Sequence, residues 1–393
     1  MSHRPFRVLG LCNGSIRGNS EILLKAALQE IQTSTSEPVT ASWIHVPSVV
    51  IPRNPKPLAS AADVSLGNVV SMKAGISSED FFADDRRAVL DAILDADAII
   101  FATPVYSHQP PGFLKAVTDR ILGPFTDAAF VQRVLERKKA GDPKFKNHPV
   151  DSRVLNPRVV GFLAVAGSSQ MEHVTMALPT LHQFVYPIHG KVVDQVVLNG
   201  YASPGSVIYK NGGKAIERAK QLGRHVASQL GKKFDDAEYL GPQPDGACPY
   251  CHLAKFDFLG GPNNEIGCLV CGAKGNLIIK GGLITPFWIH ESSWSCITME
   301  GKRLHVDHIQ EASMEEAKAL ESFSPAKVED VKKSLLDTGI PTTPLPSQSR
   351  HGADIRPYEM SKGWSRFGNI WGLSNCLRYG RHSPAGPTKG SEL

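Results

Sequence analysis

No run of 18 consecutive apolar residues occurs in this chain of 393 residues, so no membrane-spanning helix is expected. An excess of one charge is also lacking, because 43 basic and 38 acidic residues leave a net charge of only +5. This mild balance argues against a nucleic-acid partner. The first apolar segment, Val8–Cys12, is too short for the core of a signal peptide. Together these absences predict a cytoplasmic protein.

Two common nucleotide-binding motifs are also absent. The sequence contains no G-x-G-x-x-G run, which would indicate a dinucleotide-binding fold, and no Gly-Lys-Ser/Thr, which would indicate a P-loop. Internal repeats are missing as well. The apolar fraction of 41% and the charged fraction of 21% are ordinary for a globular protein, so a sizeable core is possible.

The first 230 residues alternate between strand-like and helix-like segments. Such alternation favours a parallel sheet with helices on both faces. The predicted segments are the strands Arg7–Cys12, Thr40–Val46, Ala98–Ala102, Val159–Val165 and Val192–Leu198 and the helices Asn19–Ile31, Ala83–Leu94, Gly112–Leu122 and Gly213–Leu230. Pro47–Ser78 and Phe125–Pro157 interrupt the pattern and are interpreted as insertions in loops.

The composition changes after the last of these helices. Residues 231–246 are rich in Gly, Pro and Asp, which is typical of a linker. Ser313–Leu336 has a charged helical pattern, and Pro, Ser, Gly and Arg dominate from Pro341 onward. We therefore expect an α/β domain in residues 1–232, a four-cysteine module in 233–290, and a helical extension with a tail in 291–393. The aromatic residues of that tail are expected to dock on the body or on a second subunit; they are Trp364, Phe367 and Trp371.

Residues 13–20, which read N-G-S-I-R-G-N-S, join the first strand to the first helix. This position offers backbone N–H groups and the positive end of a helix dipole to an anion. Ser15 and Ser20 add hydroxyl donors, and Arg17 adds charge-assisted ones. The alternative is an ordinary turn with capping residues.

Two further motifs follow later strands: A-D-A-I-I-F-A-T-P-V-Y at 96–106 with P-G-F-L-K at 111–115, and A-V-A-G-S-S at 164–169. With residues 13–20 they resemble the NADPH-dependent FMN reductase branch of the flavodoxin-like superfamily, over about residues 5–230. The resemblance implies a doubly wound five-stranded parallel sheet of order 2-1-3-4-5, FMN as cofactor and NAD(P)H as co-substrate. It also implies a homo-oligomer, either a dimer or a tetramer.

The same resemblance implies which residues contact FMN. Ser15, Arg17, Asn19 and Ser20 hold the phosphate; Pro104, Val105 and Tyr106 lie along the ribityl chain and the ring; Gly167 and Ser168 approach the pyrimidine end. Glu21 departs from the usual Asn and is expected to face away from the phosphate. Pro104 and Tyr106 also have a plain structural interpretation, as a strand end and a packing residue. Tyr106 and His108 are the weak candidates for a catalytic role, because flavin chemistry demands no side-chain acid or base.

Cys248, Cys251, Cys268 and Cys271 form two C-x-x-C pairs separated by sixteen residues. This spacing is typical of a zinc ribbon, in which four thiolates form a tetrahedron. Zinc is favoured, and a single iron ion is the alternative because it accepts the same ligands. Residues 260–263 are expected to form a hairpin tip. Cys12 is expected to be a small buried residue, and His173, His182 and His189 to be packing or surface residues.

The leading hypothesis is an FMN-dependent NAD(P)H oxidoreductase that acts on a small electron-poor acceptor, such as a quinone or a nitro compound. The alternative is an electron-transfer flavoprotein in which a four-cysteine iron site relays electrons to a protein partner. A third possibility is a non-catalytic module that binds FMN or zinc.

Overall fold

The computed structural model describes residues 4–51, 84–122, 126–148, 150–290, 294–321, 324–336 and 339. Most of the predicted insertion Pro47–Ser78 and the aromatic residues of the tail lie outside these residues. Backbone contacts divide the chain into two compact units, Met1–Lys318 and Ala319–Leu393. No helix in the described residues is both long and apolar enough to cross a membrane.

The first unit is built on a parallel sheet of five strands in the order β2-β1-β3-β4-β5, which confirms the predicted topology. The strands are β1 (Phe6–Cys12), β2 (Val39–His45), β3 (Ala98–Pro104), β4 (Val159–Val165) and β5 (Lys191–Leu198). The central strands β3 and β4 are buried along nearly their whole length, because helices cover both faces. The chain order reverses between β1 and β3, so their carboxyl ends flank the switch point where ligands bind in such sheets.

Among the described residues, seven α-helices accompany this sheet. They are α1 (Asn19–Ser34), α2 (Arg86–Asp95), α3 (Gly112–Ile121), α4 (Ala128–Lys139), α5 (Ala177–Val185), α6 (Ser206–Tyr209) and α7 (Lys214–Gln229). In α1 the apolar positions follow the helical period, so Leu24, Ala27 and Ile31 are buried together. A Cβ at Gly223 of α7 would lie 2.6 Å from the carbonyl oxygen of Ala27, so glycine allows α1 and α7 to pack closely.

Three of these helices were not predicted from the sequence: α4, α5 and the four-residue α6. The segment Phe125–Pro157, interpreted as a loop insertion, contains α4. Its apolar positions Ala128, Val131 and Val134 are buried, while the basic residues that obscured the pattern follow in its last turn. Asp127 caps this helix by accepting a hydrogen bond from the Phe130 N–H at 2.9 Å. Helix α5 was missed because its nine residues are short and mostly apolar, which also suits a strand.

A second, antiparallel sheet follows in the order β6-β7-β8-β9. Its strands are β6 (Phe256–Gly260), β7 (Glu265–Cys268), β8 (Lys274–Lys280) and β9 (Leu283–Trp288). The hairpin predicted around residues 260–263 is confirmed, since β6 pairs with β7. Trp288 and Ile266 form its core together with the cysteines.

Two charged helices end the described chain: α8 (Met299–Glu321), which begins in the first unit, and α9 (Pro325–Leu336), which lies in the second. The predicted helical stretch Ser313–Leu336 is confirmed as helical, but α8 begins earlier than expected. Lys302, in the first turns of α8, is buried within the first unit.

Candidate flavin site and four-cysteine centre

The loop after β1 has the geometry of an anion site. Arg17 adopts the left-handed region with φ of 59°, and the Gly18 N–H donates to the Ser15 carbonyl oxygen at 3.0 Å. A Cβ at Gly14 would lie 2.8 Å from the Ser20 hydroxyl oxygen, so only glycine fits this close approach. Gly18 is the N-cap of α1, and no side chain caps the helix there. The uncapped end of α1 therefore faces the loop with its backbone donors.

Asn19 and Glu21, at the start of α1, make contacts within the protein that the sequence did not predict. The Asn19 amide nitrogen donates to the carbonyl oxygens of Tyr201 and Ser203 at 3.1 and 3.0 Å, so this side chain fastens the loop after β5. Glu21 was expected to face away, but its carboxylate accepts the Arg17 N–H at 2.7 Å and also pairs with Lys25 at 2.6 Å. Burial opposes ionisation of Glu21, but these donors prevail and its pKa stays below the usual value. One N–H of the loop is thereby already bound.

The loop after β3 lies directly beside the first loop. The Asn13 amide nitrogen donates to the Thr103 hydroxyl at 3.2 Å and to the Pro111 carbonyl oxygen at 3.1 Å. The other amide atom, Asn13 Oδ1, is buried without a protein partner. This buried acceptor lies where the carboxyl ends of β1 and β3 meet, so it fits a ligand that supplies a hydrogen-bond donor.

The loop after β4 completes the edge. The Val105 N–H donates to the Val165 carbonyl oxygen at 2.9 Å, which ties the second loop to the third. The Gly200 N–H donates to the Ser168 carbonyl oxygen at 2.7 Å, and a Cβ at Gly167 would meet Ala202 at 3.3 Å. The three loops predicted to contact FMN thus meet at one end of the sheet.

The two catalytic candidates occupy a tight turn in the second loop. The Tyr106 N–H and the Gln109 carbonyl oxygen are 2.9 Å apart, and Ser107 and His108 both have positive φ. Tyr106 is 45% exposed, and partial burial of its phenol raises its pKa. The His108 carbonyl oxygen accepts the Met176 N–H at 3.1 Å. His108 is therefore attached to the segment that leads into α5.

One residue of the flavin edge was not singled out from the sequence. His45 ends β2, and its Nε2 lies 2.8 Å from the Gly14 carbonyl oxygen while its Nδ1 lies 2.6 Å from the Ser48 hydroxyl. It supports the phosphate loop from the neighbouring strand. The sequence feature that could have identified His45 is its position at the carboxyl end of β2, the strand beside β1.

The four cysteines converge as predicted. Their sulfur atoms all lie within 4.8 Å of one another, with Cys248 and Cys271 3.6 Å apart and Cys251 and Cys268 3.5 Å apart. A tetrahedral ion with metal–sulfur bonds of about 2.3 Å would place its sulfur atoms about 3.8 Å apart, so the geometry fits a single ion. No histidine belongs to this cluster within the described residues.

The two knuckles share a backbone pattern. The residue after each second cysteine is left-handed: His252 with φ of 59° and Gly272 with φ of 78°. Its N–H donates back to the carbonyl oxygen of Cys248 or Cys268, at 2.8 and 2.9 Å respectively. The sequence indicated this need only at Gly272. His252 adopts the same conformation while its ring stacks on Tyr239, with centroids 3.8 Å apart.

Glutamine side chains attach both knuckles to the α/β domain. Gln195 of β5 donates to the Cys251 carbonyl oxygen, and Gln183 of α5 donates to the Val270 carbonyl oxygen, each at 2.8 Å. His182 stands behind Gln195, with Nε2 2.9 Å from its Oε1. Burial lowers the His182 pKa to about 4, so the neutral ring donates from Nε2 to that oxygen. The packing role expected of His182 is confirmed.

A buried lysine attaches α8 to the same body. Lys302 is 1% exposed, and its Nζ lies 2.8 Å from the Ile297 carbonyl oxygen and 3.0 Å from His189 Nδ1. His189 in turn stacks on Phe234 at 4.0 Å. Burial lowers the Lys302 pKa to about 8, and burial together with Lys302 lowers the His189 pKa to about 2. His189 is therefore a neutral packing residue.

Cys12 is buried as predicted.

Comparison with known proteins gives concordant matches. The family model of NADPH-dependent FMN reductase matches residues 6–203. The flavone synthase cfoJ of Aspergillus candidus is 32% identical over 336 residues, which cover 85% of this chain and 96% of that protein. A solved flavone reductase structure shares 22% identity with a TM-score of 0.61, covering 86% of this chain and all of that one. An FMN-dependent NADH-azoreductase of Bacillus anthracis in complex with FMN shares 13% identity with a TM-score of 0.37, covering 58% and 100%.

The matched family indicates both the cofactor and the type of reaction. The family model spans β1 to the loop after β5, which includes all three loops at the carboxyl edge of the sheet. The electron-carrier alternative gains no support from these comparisons. The chain therefore belongs to the NADPH-dependent FMN reductase family and is an FMN-dependent oxidoreductase.

Proposed function

We propose that this enzyme passes a hydride from NAD(P)H through FMN to a conjugated aromatic ketone of the flavone type. The observation that carries the proposal is the 32% identity to a flavone synthase over 336 residues, which cover 85% of this chain and 96% of that protein. In the balanced reaction, NAD(P)H and one proton become NAD(P)+ as the carbon–carbon double bond of the acceptor becomes a single bond. Formation of a flavone is the same bond change in the opposite sense, in which an oxidant takes up the two electrons through FMN. Quinones and nitro compounds remain alternative acceptors.

The proposed FMN contacts use the three loops. Ser15, Arg17 and Ser20 bind the phosphate with the uncapped end of α1, while Asn19 acts by fastening the loop at 201–203. Pro104, Val105 and Tyr106 line the ribityl chain and ring, and Gly167 and Ser168 lie at the pyrimidine end. FMN supplies the hydride-accepting and hydride-donating ring.

The chain's own side chains would orient the reactants and move the proton. The Tyr106 phenol is protonated at neutral pH, because the ordinary pKa of tyrosine is about 10 and partial burial raises it further. It is therefore suited to donate a hydrogen bond to a carbonyl oxygen. His108 is the second candidate, because it follows Tyr106 by two residues in the same turn. Its ring lies 5.8 Å from that of His173. Both assignments are proposals for mutagenesis.

The four-cysteine centre is proposed to hold one structural zinc ion, with iron as the alternative. The closeness of the four sulfur atoms, all within 4.8 Å of one another, supports a single ion of either kind. We also propose the division into residues 1–232, 233–290 and 291–393, a cytoplasmic location and a homo-oligomeric state. The hydrogen bonds that Gln183 and Gln195 donate to the two knuckles support direct packing of the first two parts against each other.

The decisive experiment is purification followed by flavin release, metal analysis and nucleotide oxidation against an acceptor panel. We expect one FMN and one zinc per chain, and faster NADPH oxidation with a flavone than with a quinone or a nitro compound. Turnover with a quinone alone would contradict the acceptor class but keep the oxidoreductase. The reverse reaction, flavone formation with an external electron acceptor, is measured in the same series.

A further inference from the structure

The hairpin formed by β8 and β9 extends beyond the core of the small sheet. Its base is buried, because Trp288 packs beside the cysteines. Near its tip, Ile279 and Ile284 oppose each other across the two strands and are 79% and 73% exposed. A two-residue turn at 281–282, with both glycines in the left-handed conformation, closes the hairpin. We call residues 275–288 the distal hairpin.

The two faces of the distal hairpin differ in composition. Side chains alternate between the faces of a strand, so the face that holds Trp288 continues to Ile279 and Ile284. We call the part of this face outside the core the apolar face; its members are Phe258 of β6, Leu277, Ile279, Ile284 and Pro286. The opposite face mixes apolar residues with Asn276, Lys280 and Thr285. Stacked on a second copy about a two-fold axis, the opposite face would bring two lysine charges together, whereas the apolar face would not.

The exposed area of the apolar face is close to what a stable dimer needs. At about 150 Å² for a fully exposed large apolar side chain, Phe258, Ile279 and Ile284 expose about 300 Å² in one copy. With the half-buried Leu277 and Pro286, a symmetric pair would bury about 700–800 Å² of apolar surface. A standard interface of about 1,200–2,000 Å² is slightly more than half apolar, so this face supplies the apolar part of an interface at the lower end of that range.

Addition of a further strand at the edge of the hairpin is disfavoured, although β9 is an edge strand of the sheet. The Leu277 N–H donates to the Asn264 carbonyl oxygen at 2.9 Å, so the backbone polar groups of Leu277 point to β7. Those of its cross-strand partner, Pro286, therefore point to the free edge. Because proline has no N–H, this edge lacks a hydrogen-bond donor there. A partner is therefore expected on a face of the hairpin and not along its edge.

Insertion of the hairpin into a membrane is also disfavoured. Lys280 precedes the glycine turn, so the tip would carry a charge and the polar backbone of the turn deeper into the lipid than Ile279 and Ile284. Packing sideways against another protein surface leaves this tip in water. The observations therefore favour a protein partner for the apolar face.

We propose that two copies of this chain pack against each other through the apolar face, about a two-fold axis. Ile279 and Ile284 of one copy lie against the same two residues of the second copy. The pairing provides the surface for the proposed homo-oligomeric state. It uses the cysteine module and not the flavin edge, so it is independent of the proposed acceptor.

The test is sedimentation velocity of the full-length, FMN-loaded protein over a range of concentrations. We expect the wild type to sediment as a dimer or tetramer. The double variant Ile279→Thr/Ile284→Thr is expected to dissociate at a concentration about a hundredfold higher, because each interface loses four apolar side chains. Threonine keeps the β-branched shape at two exposed positions, so the hairpin is expected to fold. Leu283→Thr is the matched control, because this residue is 72% exposed in the same hairpin but lies on the opposite face.

Each outcome has a distinct meaning. A dimer of equal strength in the wild type and the double variant would overturn the proposed surface while the homo-oligomeric state stands. An equal loss of the dimer in Leu283→Thr and the double variant would overturn the assignment to one face. A wild type that stays monomeric would overturn the pairing, and its binding to phosphatidylcholine vesicles, if lost in the double variant, would assign the apolar face to a membrane. FMN content and turnover with the acceptor panel test the proposed reaction separately.

Discussion

The two sheets of the first unit are stabilised in different ways. The five-stranded parallel sheet buries apolar side chains on both faces, in two large clusters that include Leu90 and Phe162 on one side and Leu24 and Leu222 on the other. The four-stranded sheet has a much smaller core, in which the four cysteines stand beside Ile266 and Trp288. Its hairpin leaves Ile279 and Leu283 more than 70% exposed. The first sheet therefore depends on burial, and the second has the four-cysteine cluster and its attachment points in place of a large apolar core.

The largest expected effect distinguishes the two sheets directly. We expect Cys271→Ser to lose the metal and unfold the small sheet, because a structural zinc site contributes about 10 kcal/mol or more to folding. The five-stranded sheet and its FMN are expected to persist. Metal analysis and limited proteolysis measure the two parts separately. Cys296→Ser is the control, since this thiol lies outside the centre. A Cys271→Ser protein with one metal ion per chain would contradict the assignment.

The next effect concerns the phosphate loop of the first sheet. Arg17→Ala is expected to weaken FMN binding by about 1.5–3 kcal/mol, because it removes charge-assisted hydrogen bonds to the phosphate. Fluorescence titration of the apoprotein with FMN measures the change. Arg137→Ala removes an exposed arginine from α4 and is expected to have no effect. Equal FMN affinity in a folded Arg17→Ala protein would remove Arg17 from the site.

A third prediction concerns the connection between the sheets. Gln195→Leu is expected to cost about 1–3 kcal/mol of unfolding free energy, because the Cys251 carbonyl oxygen and the His182 N–H lose their buried partner. Denaturant unfolding monitored by circular dichroism provides the value. Gln221→Leu changes an exposed glutamine of α7 and is the control. A cost below 0.5 kcal/mol, similar to that of surface changes, would show that the sheets are joined by other contacts.

The smallest effect is a pH dependence at the attachment of α8. His189 titrates at about 2 in the folded chain, below the ordinary histidine value of about 6.5, so the unfolded chain binds more protons between these limits. Its contribution to stability is therefore present above about pH 6.5 and decreases by up to about 1.4 kcal/mol per pH unit on acidification. His189→Asn is expected to reduce the slope of unfolding free energy against pH, between pH 6.5 and 5, by the amount that corresponds to about one bound proton. The exposed residue His173 provides the control, His173→Asn; an unchanged slope in His189→Asn would assign the proton to another group.

The accuracy of the sequence interpretation differs between the two regions for physical reasons. Strand Val159–Val165 was placed correctly, because a strand buried on both faces is a continuous apolar run. Helix α4 was missed because its basic residues dominate the composition although four of its apolar positions are buried. Glu21 was misjudged because charge alone predicts repulsion from a phosphate site, whereas its position in α1 lets it accept the Arg17 N–H.

The sequence by itself determined the parallel sheet, the positions of the three loops and the four-thiolate centre, because each depends on residue type at short spacing. Only the tertiary structure decided what lies between these parts. Gln183 and Gln195 are ordinary glutamines in the sequence, and they become attachment points because α5 and β5 pass beside the knuckles. Lys115, Met176 and Trp294 lie far apart in the sequence but line the same surface cleft. Contacts between residues so far apart follow from chain packing, which no local pattern of side chains encodes.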